Sequence, residues 1–331
     1  MKKTDFFLKL AIIAIAGCLA LFFTECKNNK SKQGINSNDT LKGTINISGA
    51  FALYPMTTKW SDEFRKIHPN VKINISGGGA GKGMVDALSG MADLGMFSRD
   101  VKKEEQEKGC WEINVTKDAV LSTINSKNPI IKELKNKGLT KEVFYKIFIS
   151  GEINDWGTAI GNKNIKNKIN IYTRSDACGA AQKWAEFLGK NQEDLLGIGV
   201  NADPGVAGAV KKDVCAIGYN NKIFIYNIQT NKKYEGLEVI PIDINENGVI
   251  DADENFYDSA DEIANAIKEG KYPSPPARRL SFVSNGTPKN KTAVEFLKWI
   301  LTDGQKYVSE SGYIQLPEDE IKLELEKLTL K

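Results

Sequence analysis

Histidine is almost missing: His68 is the only one in 331 residues. It precedes Pro69 where a helix would end, so it reads as a helix-end residue. A lone imidazole argues against a serine–histidine–aspartate hydrolase and against a histidine-rich metal centre. An excess of one charge is also lacking, with 45 Lys and Arg against 42 Asp and Glu. Part of the net +3 sits in Lys2, Lys3 and Lys9 at the start. The remainder is near neutral and gives no argument for nucleic acid as a partner. Low-complexity tracts and short repeats are absent from the sequence. Composition is that of an ordinary soluble globular protein, and the length allows two domains with separate cores.

Long apolar runs are scarce too. The prominent one, Leu10–Phe23, is short for a membrane span and follows basic residues, so residues 1–26 read as an export signal. Ile15-Ala16-Gly17-Cys18 fits a bacterial lipobox, in which the cysteine becomes the acylated N-terminus. Cys26 is the rival, at the border with a polar tether over residues 27–42, but Glu25 before it fits poorly. Cys18 is slightly favoured. Of the 5 cysteines, Cys110, Cys178 and Cys215 remain. An odd number in an exported chain leaves at least one free thiol; Cys178–Cys215 is a candidate bridge.

What is present is concentrated in Ser76–Arg99. A strand, Val71–Ser76, runs into the glycine-rich turn Gly77–Gly83. A short helix is expected next, with Met84, Val85, Leu88 and Met91 on one side. A second turn follows at Phe97-Ser98-Arg99. Glycines between a strand and a helix bare backbone N–H groups at the positive end of the helix, which suits an anion. The alternative is a tight turn without a ligand. A phosphate-binding P-loop is not matched: Gly81-Lys82 is followed by Gly83, so no hydroxyl is available for magnesium. A dinucleotide fingerprint would need an acidic residue ending a second strand, and Asp93 instead precedes a glycine turn.

The same grammar recurs along the chain. Thr44–Ser48 reads as a strand, and Pro55 opens a helix carrying Trp60, Phe64 and Ile67. Ala119–Ile124 is another strand, and Asn128-Pro129 marks a candidate domain crossing. Thr140 caps a helix with Val143, Phe144, Ile147 and Phe148. Ile169–Thr173 is a strand ending at Arg174. Its helix is capped by Ser175 or Asp176, faces the core through Trp184, Phe187 and Leu188, and stops at Gly189. Ala216–Tyr219 and Ile223–Tyr226 read as strands, Tyr272–Arg279 as an extended linker, and Thr292–Gln315 as a helical hairpin-like segment. Strands alternating with helices predict an α/β architecture with a largely parallel sheet.

Three strand-to-helix turns therefore stand out: Gly49–Pro55, Gly77–Gly83 and Arg174–Ala180. If they converge, they surround a small concavity with N–H donors. Arg174 adds a bidentate guanidinium, Ser98 a hydroxyl, and Asp176 an acceptor for a protonated oxyanion. A surface or cross-domain salt bridge is the plainer role for Arg174.

With these turns in view, a resemblance is plain. GAFALYPMTTKW, GGGAGKGMVDALSGMADLGMFSR, LTKEVFYKIFISGEINDWG, TRSDACGAA, GVAGAVKKDVCAIGY and EFLKWILTDGQKYVSESGYIQLP occur in order between about residues 45 and 317. Together they resemble the phosphate-binding proteins of bacterial phosphate ABC importers, a class of type II periplasmic substrate-binding proteins. The resemblance implies two α/β lobes, each a mostly parallel sheet flanked by helices. Lobe I would comprise 43–125 and 273–331, and lobe II 126–272. It implies binding without catalysis: the lobes close on a dehydrated oxyanion, most readily phosphate, and deliver it to an inner-membrane ABC permease. The protein would be a monomer, exported and lipid-anchored in the periplasm or at the cell surface.

The implied anion site maps onto Ala52 and Leu53, Ala80 and Gly81, Ser98, Arg174, Asp176, Cys178, Gly179 and Ala180. Several family hydroxyls are replaced here. Ala52-Leu53 offers backbone N–H groups only, the glycine-turn serine falls at Ala80 or Gly81, and Cys178 and Ala180 stand where Ser and Thr are usual. The arginine, the aspartate, Ser98 and the backbone cradle remain, so another oxyanion such as molybdate, tungstate or sulfate is the runner-up. An esterase or phosphatase would have Cys178 as its candidate nucleophile, its pKa lowered by the helix N-terminus, but no base neighbours it in sequence.

A separate motif runs from Asp243 to Glu254. It fits the D-x-[DN]-x-[DN]-G-x5-E calcium loop. Asp243, Asn245, Asn247, Asp251 and Glu254 supply side-chain oxygens, the Val249 carbonyl supplies another, and Gly248 permits the turn. A structural Ca2+ is expected there, with an acidic surface turn as the bland alternative. A calcium-binding surface sensor or adhesion protein on the same fold is the competing function.

Overall fold

The computed structural model describes residues 41–329. The lipidation candidates Cys18 and Cys26, the export signal and the tether up to residue 40 lie outside the described residues. Strand β1 (Gly43–Gly49) pairs in parallel with β2 (Val71–Gly77), with Gly43 opposite Val71 and Gly49 opposite Gly77. The helix Tyr54–Ile67 connects them, with proline in its first turn, where the missing N–H costs nothing. It buries Met56, Trp60 and Phe64. Ile67, expected on the same face, is 53% exposed. Trp60 donates its indole N–H to the Gly304 carbonyl at 2.9 Å, which ties this helix to the C-terminal region.

The helix Gly79–Leu88 leads back to β3 (Leu94–Phe97), which pairs in parallel with β1. Its buried face is Ala80, Gly83, Met84 and Ala87, whereas Val85 and Met91 are exposed. This corrects the expected apolar face. The small residues let the helix lie close on β1 and β3: a Cβ on Gly83 would stand 2.5 Å from the Met96 carbonyl oxygen. That close approach turns Val85 outward.

The sheet continues through β4 (Cys110–Asn125), a 16-residue strand, β5 (Asn170–Arg174), β6 (Ile198–Val200) and β7 (Ala216–Asn221). Tyr226–Asn227 (β8) and Lys232–Lys233 (β9) form a separate hairpin. Leu237–Val239 (β10) and Ala277–Asn285 (β11) complete the set. Among the described residues the large sheet has 9 strands in the order β2-β1-β3-β11-β4-β7-β5-β6, with β10 on β4. It is mixed. The flanks are parallel, while β11 and β4 pair antiparallel with each other and with β3 and β7.

Two large hydrophobic cores lie along this sheet. One gathers Ile45, Trp60, Phe64, Leu94, Val115, Leu280 and Phe296. The other gathers Ala119, Phe144, Trp184, Tyr219, Ile263 and Ala277. Each fully buried large apolar side chain contributes roughly 1.5–3 kcal/mol. The cores change over inside β4, between Val115 and Ala119, and inside β11, between Ala277 and Leu280. The change therefore falls before Asn128-Pro129 in the chain.

Local expectations hold at Thr140, whose hydroxyl accepts from the Val143 N–H at 3.3 Å. The expected strand over Ile223–Tyr226 is instead a tight helical turn, Lys222–Phe224, followed by β8. The buried Lys222 ammonium is anchored on the Ala260 carbonyl, which holds the turn. Residues 277–279, expected in a linker, are strand residues of β11. Among the described residues no helix is long and apolar enough to cross a membrane.

Candidate functional site

The turn after β2 is built from absence of side chain. Gly78 and Gly79 have φ of 152° and 83°, values that favour glycine. The turn lies directly against the one after β5. The Gly81 N–H donates to the Ala177 carbonyl at 3.1 Å. A Cβ on Gly79 would stand 2.7 Å from that same oxygen and 2.8 Å from Asp176 Oδ2. Gly179 is pressed on Ser98, with hypothetical Cβ distances of 2.1 Å to its carbonyl oxygen and 2.2 Å to its hydroxyl oxygen. The first turn approaches through Phe51, whose ring lies 5.8 Å from the Arg174 guanidinium carbon. The three turns and Ser98 thus come together.

The turn after β5 is built from charge. Arg174 donates Nε to Asp176 Oδ1 at 2.8 Å, Nη2 to Asp176 Oδ2 and Nη1 to Asp203 Oδ2. Its backbone N–H donates to the Tyr219 hydroxyl at 3.0 Å, and that hydroxyl shares a 2.7 Å hydrogen bond with Thr173. The side chain is 1% exposed. Burial works against its charge, yet Asp203 and Asp176 hold the guanidinium pKa above its ordinary value. Burial pushes Asp176 the other way, but Arg174 outweighs it and keeps that carboxyl below the usual range. Asp176 Oδ1 also accepts from the Ala202 N–H at 3.0 Å. Ala202, a non-glycine residue at φ 63°, is held in a costly conformation at this point.

Asp176 does not cap the following helix. Cys178 does, its sulfur accepting from the Ala181 N–H at 3.4 Å. Asp176 is turned away by its ion pair with Arg174. The Cys178 thiol is buried, which pushes its pKa up to about 12, the reverse of an activated nucleophile. Cys110, Cys178 and Cys215 are free thiols. Ala52, Leu53, Ala80 and Ala180 are all at most 2% exposed. Their methyl and isobutyl groups join the cores, so only backbone can serve a ligand there. The Leu53 N–H is used within its turn, on the Ala50 carbonyl at 3.1 Å.

No local pattern in the sequence points to Asp203 as a partner of Arg174. It lies 29 residues beyond Arg174, fully buried, and its other oxygen accepts from the Asn221 N–H at 3.0 Å. Asp203-Pro204 in the first turn of the helix Ala202–Lys212 is a local signal for a helix start, not for an arginine partner.

The calcium-type loop lies elsewhere, in the second core's part of the chain. Asp243 accepts from the Asn247 and Gly248 N–H groups at 3.2 and 2.9 Å. Glu254 Oε1 accepts from the Ile244 and Asn245 N–H groups, and Asp251 accepts from the side-chain amides of Asn245 and Asn247. The Ile250 N–H pairs with the Asn136 carbonyl at 2.8 Å. Among the described residues no group of three or more His, Cys, Asp or Glu is disposed around a metal position.

An α/β fold that brings two strand-to-helix turns together beside a buried arginine suits a binding protein for a small anion. The chain belongs to the PBP superfamily, whose domain profile matches residues 35–304. It is 27% identical to the phosphate-binding protein PstS of Methanocaldococcus jannaschii, over 96% of this chain and 92% of that one. It is 26% identical to PstS of Staphylococcus aureus, over 89% and 85%. Among solved structures it matches a substrate-binding protein of a phosphate ABC transporter from Clostridium perfringens, with bound phosphate. The TM-score is 0.66 at 22% identity, over 83% of this chain and all of that one. A phosphate transport receptor from Vibrio cholerae matches with a TM-score of 0.60 at 20% identity over the same share of this chain.

Proposed function

We propose that this chain binds phosphate outside the cytoplasm and delivers it to an ABC permease, without catalysing a reaction. The observation that carries this reading is the apposition of the Gly77–Gly83 turn with the Arg174–Ala180 turn. Helix N-termini and a guanidinium from opposite sides suit a tetrahedral oxyanion. The phosphate binders among its relatives support the same choice of ligand. The two cores would act as the two lobes, closing on the anion because contacts across the turns exist only in the closed state. The protein would work as a monomer anchored by lipid at Cys18, or at Cys26. Equilibrium dialysis of the purified protein against labelled phosphate tests the binding. Retention competed by unlabelled phosphate is expected; no retention at millimolar phosphate would reject the reading.

A second ligand is favoured by one observation in the Asp243–Glu254 loop. Its first carboxylate receives the N–H of the sixth-position glycine, Gly248, so the backbone already curls around the oxygen ligands. We propose a structural calcium held by Asp243, Asn245, Asn247, the Val249 carbonyl, Asp251 and Glu254. A cation bound only to the folded state raises the melting temperature with the logarithm of its excess over its dissociation constant. Calcium should raise it, a chelator should lower it, and Glu254→Gln should remove most of the response. An unchanged melting curve in millimolar calcium would reduce the loop to an acidic turn.

A further inference from the structure

The two strands at which the cores change over carry an unusual pair. Arg278 on β11 stands opposite Asp118 on β4 in register. Both are buried, at 6% and 1% exposure. Arg278 Nη2 donates to the side-chain oxygen of Asn221. Among the described residues its Nε and Nη1 have no hydrogen-bond partner, and neither do the two Asp118 carboxylate oxygens. A guanidinium buried to this extent with open donors is costly unless something fills them.

Its surroundings say where those donors belong. Asn221, which holds Nη2, gives its own N–H to Asp203 Oδ1, and Asp203 Oδ2 holds Arg174. The two guanidiniums therefore hang from one hydrogen-bonded chain. Asp118, Asp203, Cys178 and Arg174 all act electrostatically on Arg278. Arg174 alone leaves the anion little net positive charge. Its charge already faces two carboxylates, and its three bonds to them use three of the five guanidinium N–H groups. Further charged donors nearby would strengthen the hold on a multiply charged oxyanion.

We propose that Arg278 is a second cationic anchor of the bound oxyanion, donating from Nε and Nη1 beside Arg174. The inference rests on the phosphate reading and deepens it. Asn221 and Asp203 position the two guanidiniums, and Asp118 balances Arg278 when the site is empty. A pair of cations selects for anion charge, so the site prefers a dianion such as hydrogen phosphate to a monoanion of similar shape such as perchlorate.

The test is titration calorimetry of three proteins with phosphate and with perchlorate. Arg278→Gln removes the cation, and Arg278→Gln with Asp118→Asn removes it without leaving an unpaired buried carboxylate. The second variant guards against a fold that fails only from charge imbalance. Both should bind phosphate about ten- to a hundredfold more weakly than wild type, with perchlorate affinity changed far less. Wild-type phosphate affinity in the double variant would overturn the inference while leaving phosphate binding intact, since Arg278 would then only partner Asp118. An equal loss for both anions would also overturn it, by removing the charge selectivity. No phosphate binding by the wild type would overturn both the phosphate reading and this inference.

Discussion

The two turns that face each other at the site are made by opposite means. Gly77–Gly83 approaches by having no side chains: positive φ at Gly78 and Gly79, and contact of Gly81 with the Ala177 backbone. Arg174–Ala180 approaches by having buried ones: an arginine between Asp176 and Asp203, locked from behind by Tyr219. The first turn supplies donors that cost little to present. The second supplies charge, which must be balanced in advance to be buried at all. The lesson is that a cradle side and an anchor side should respond differently to substitution.

The largest effect is expected where the anchor side copies the cradle's device. Gly179 sits in a helix, where alanine is intrinsically favoured by about 1 kcal/mol. Its hypothetical Cβ nevertheless lies 2.1 Å from the Ser98 carbonyl oxygen, a backbone atom that cannot step aside. Gly179→Ala should abolish measurable phosphate binding and lower stability on the order of 1–3 kcal/mol, read by calorimetry and a denaturant melt. Binding at wild-type strength would mean the two turns do not meet in the bound protein.

Arg174→Ala comes next. It should weaken phosphate binding by about 2–4 kcal/mol, because it removes donors and leaves Asp176 and Asp203 uncompensated beside the anion. Unchanged affinity in a titration would take Arg174 out of the site. On the cradle side, Gly81→Ala should cost about 1 kcal/mol or less of binding. Its Cβ would meet the Ala177 methyl at 2.9 Å and the Ala177 carbonyl oxygen at 3.2 Å, a milder overlap than the 2.1 Å at Gly179, relieved by a shift of the Ala177 backbone. A loss as large as that of Arg174→Ala would erase the distinction between the two sides.

Asp118 sharpens the contrast through pH. Burial raises its carboxyl from 3.8 to about 6 against the pull of Arg278 and Lys222, with Asp203 adding to the rise. Between those values the folded chain holds a proton that the unfolded chain has released. Stability contributed by this group is therefore present at the acid end and falls as pH rises through the window. Asp118→Asn should flatten the pH dependence of the melting temperature between about pH 4 and 6. A slope unchanged by that substitution would assign it to other carboxyls.

Much of the cradle side was legible in the sequence and less of the anchor side. A strand, a glycine cluster and a helix follow one another in Val71–Leu88, and their periodicities are local, so the turn announces itself. Thr140 was readable for the same reason: a cap is a contact three residues long. Arg174 was readable as a residue at a strand end. Its partner Asp203 was not, because a buried ion pair between distant elements leaves no local pattern. Nor was Arg278, which stands beside the exposed Arg279 in a stretch that reads as an extended linker. β4 was read only in its apolar half, since Lys117 and Asp118 interrupt the run at the point where the cores change over. The outward turn of Val85 escaped as well, because it depends on how closely Gly83 lets the helix approach Gly49.

The central claim is that one anion sits where the two turns meet. The measurement that tests it most directly is a diffraction structure of the protein crystallised in phosphate. The account predicts tetrahedral density bridging the backbone N–H groups of Gly79 and Ala80 and the Arg174 guanidinium, next to Ser98 and Gly179. Phosphate bound at full occupancy elsewhere on the molecule, with this junction holding none, would contradict it.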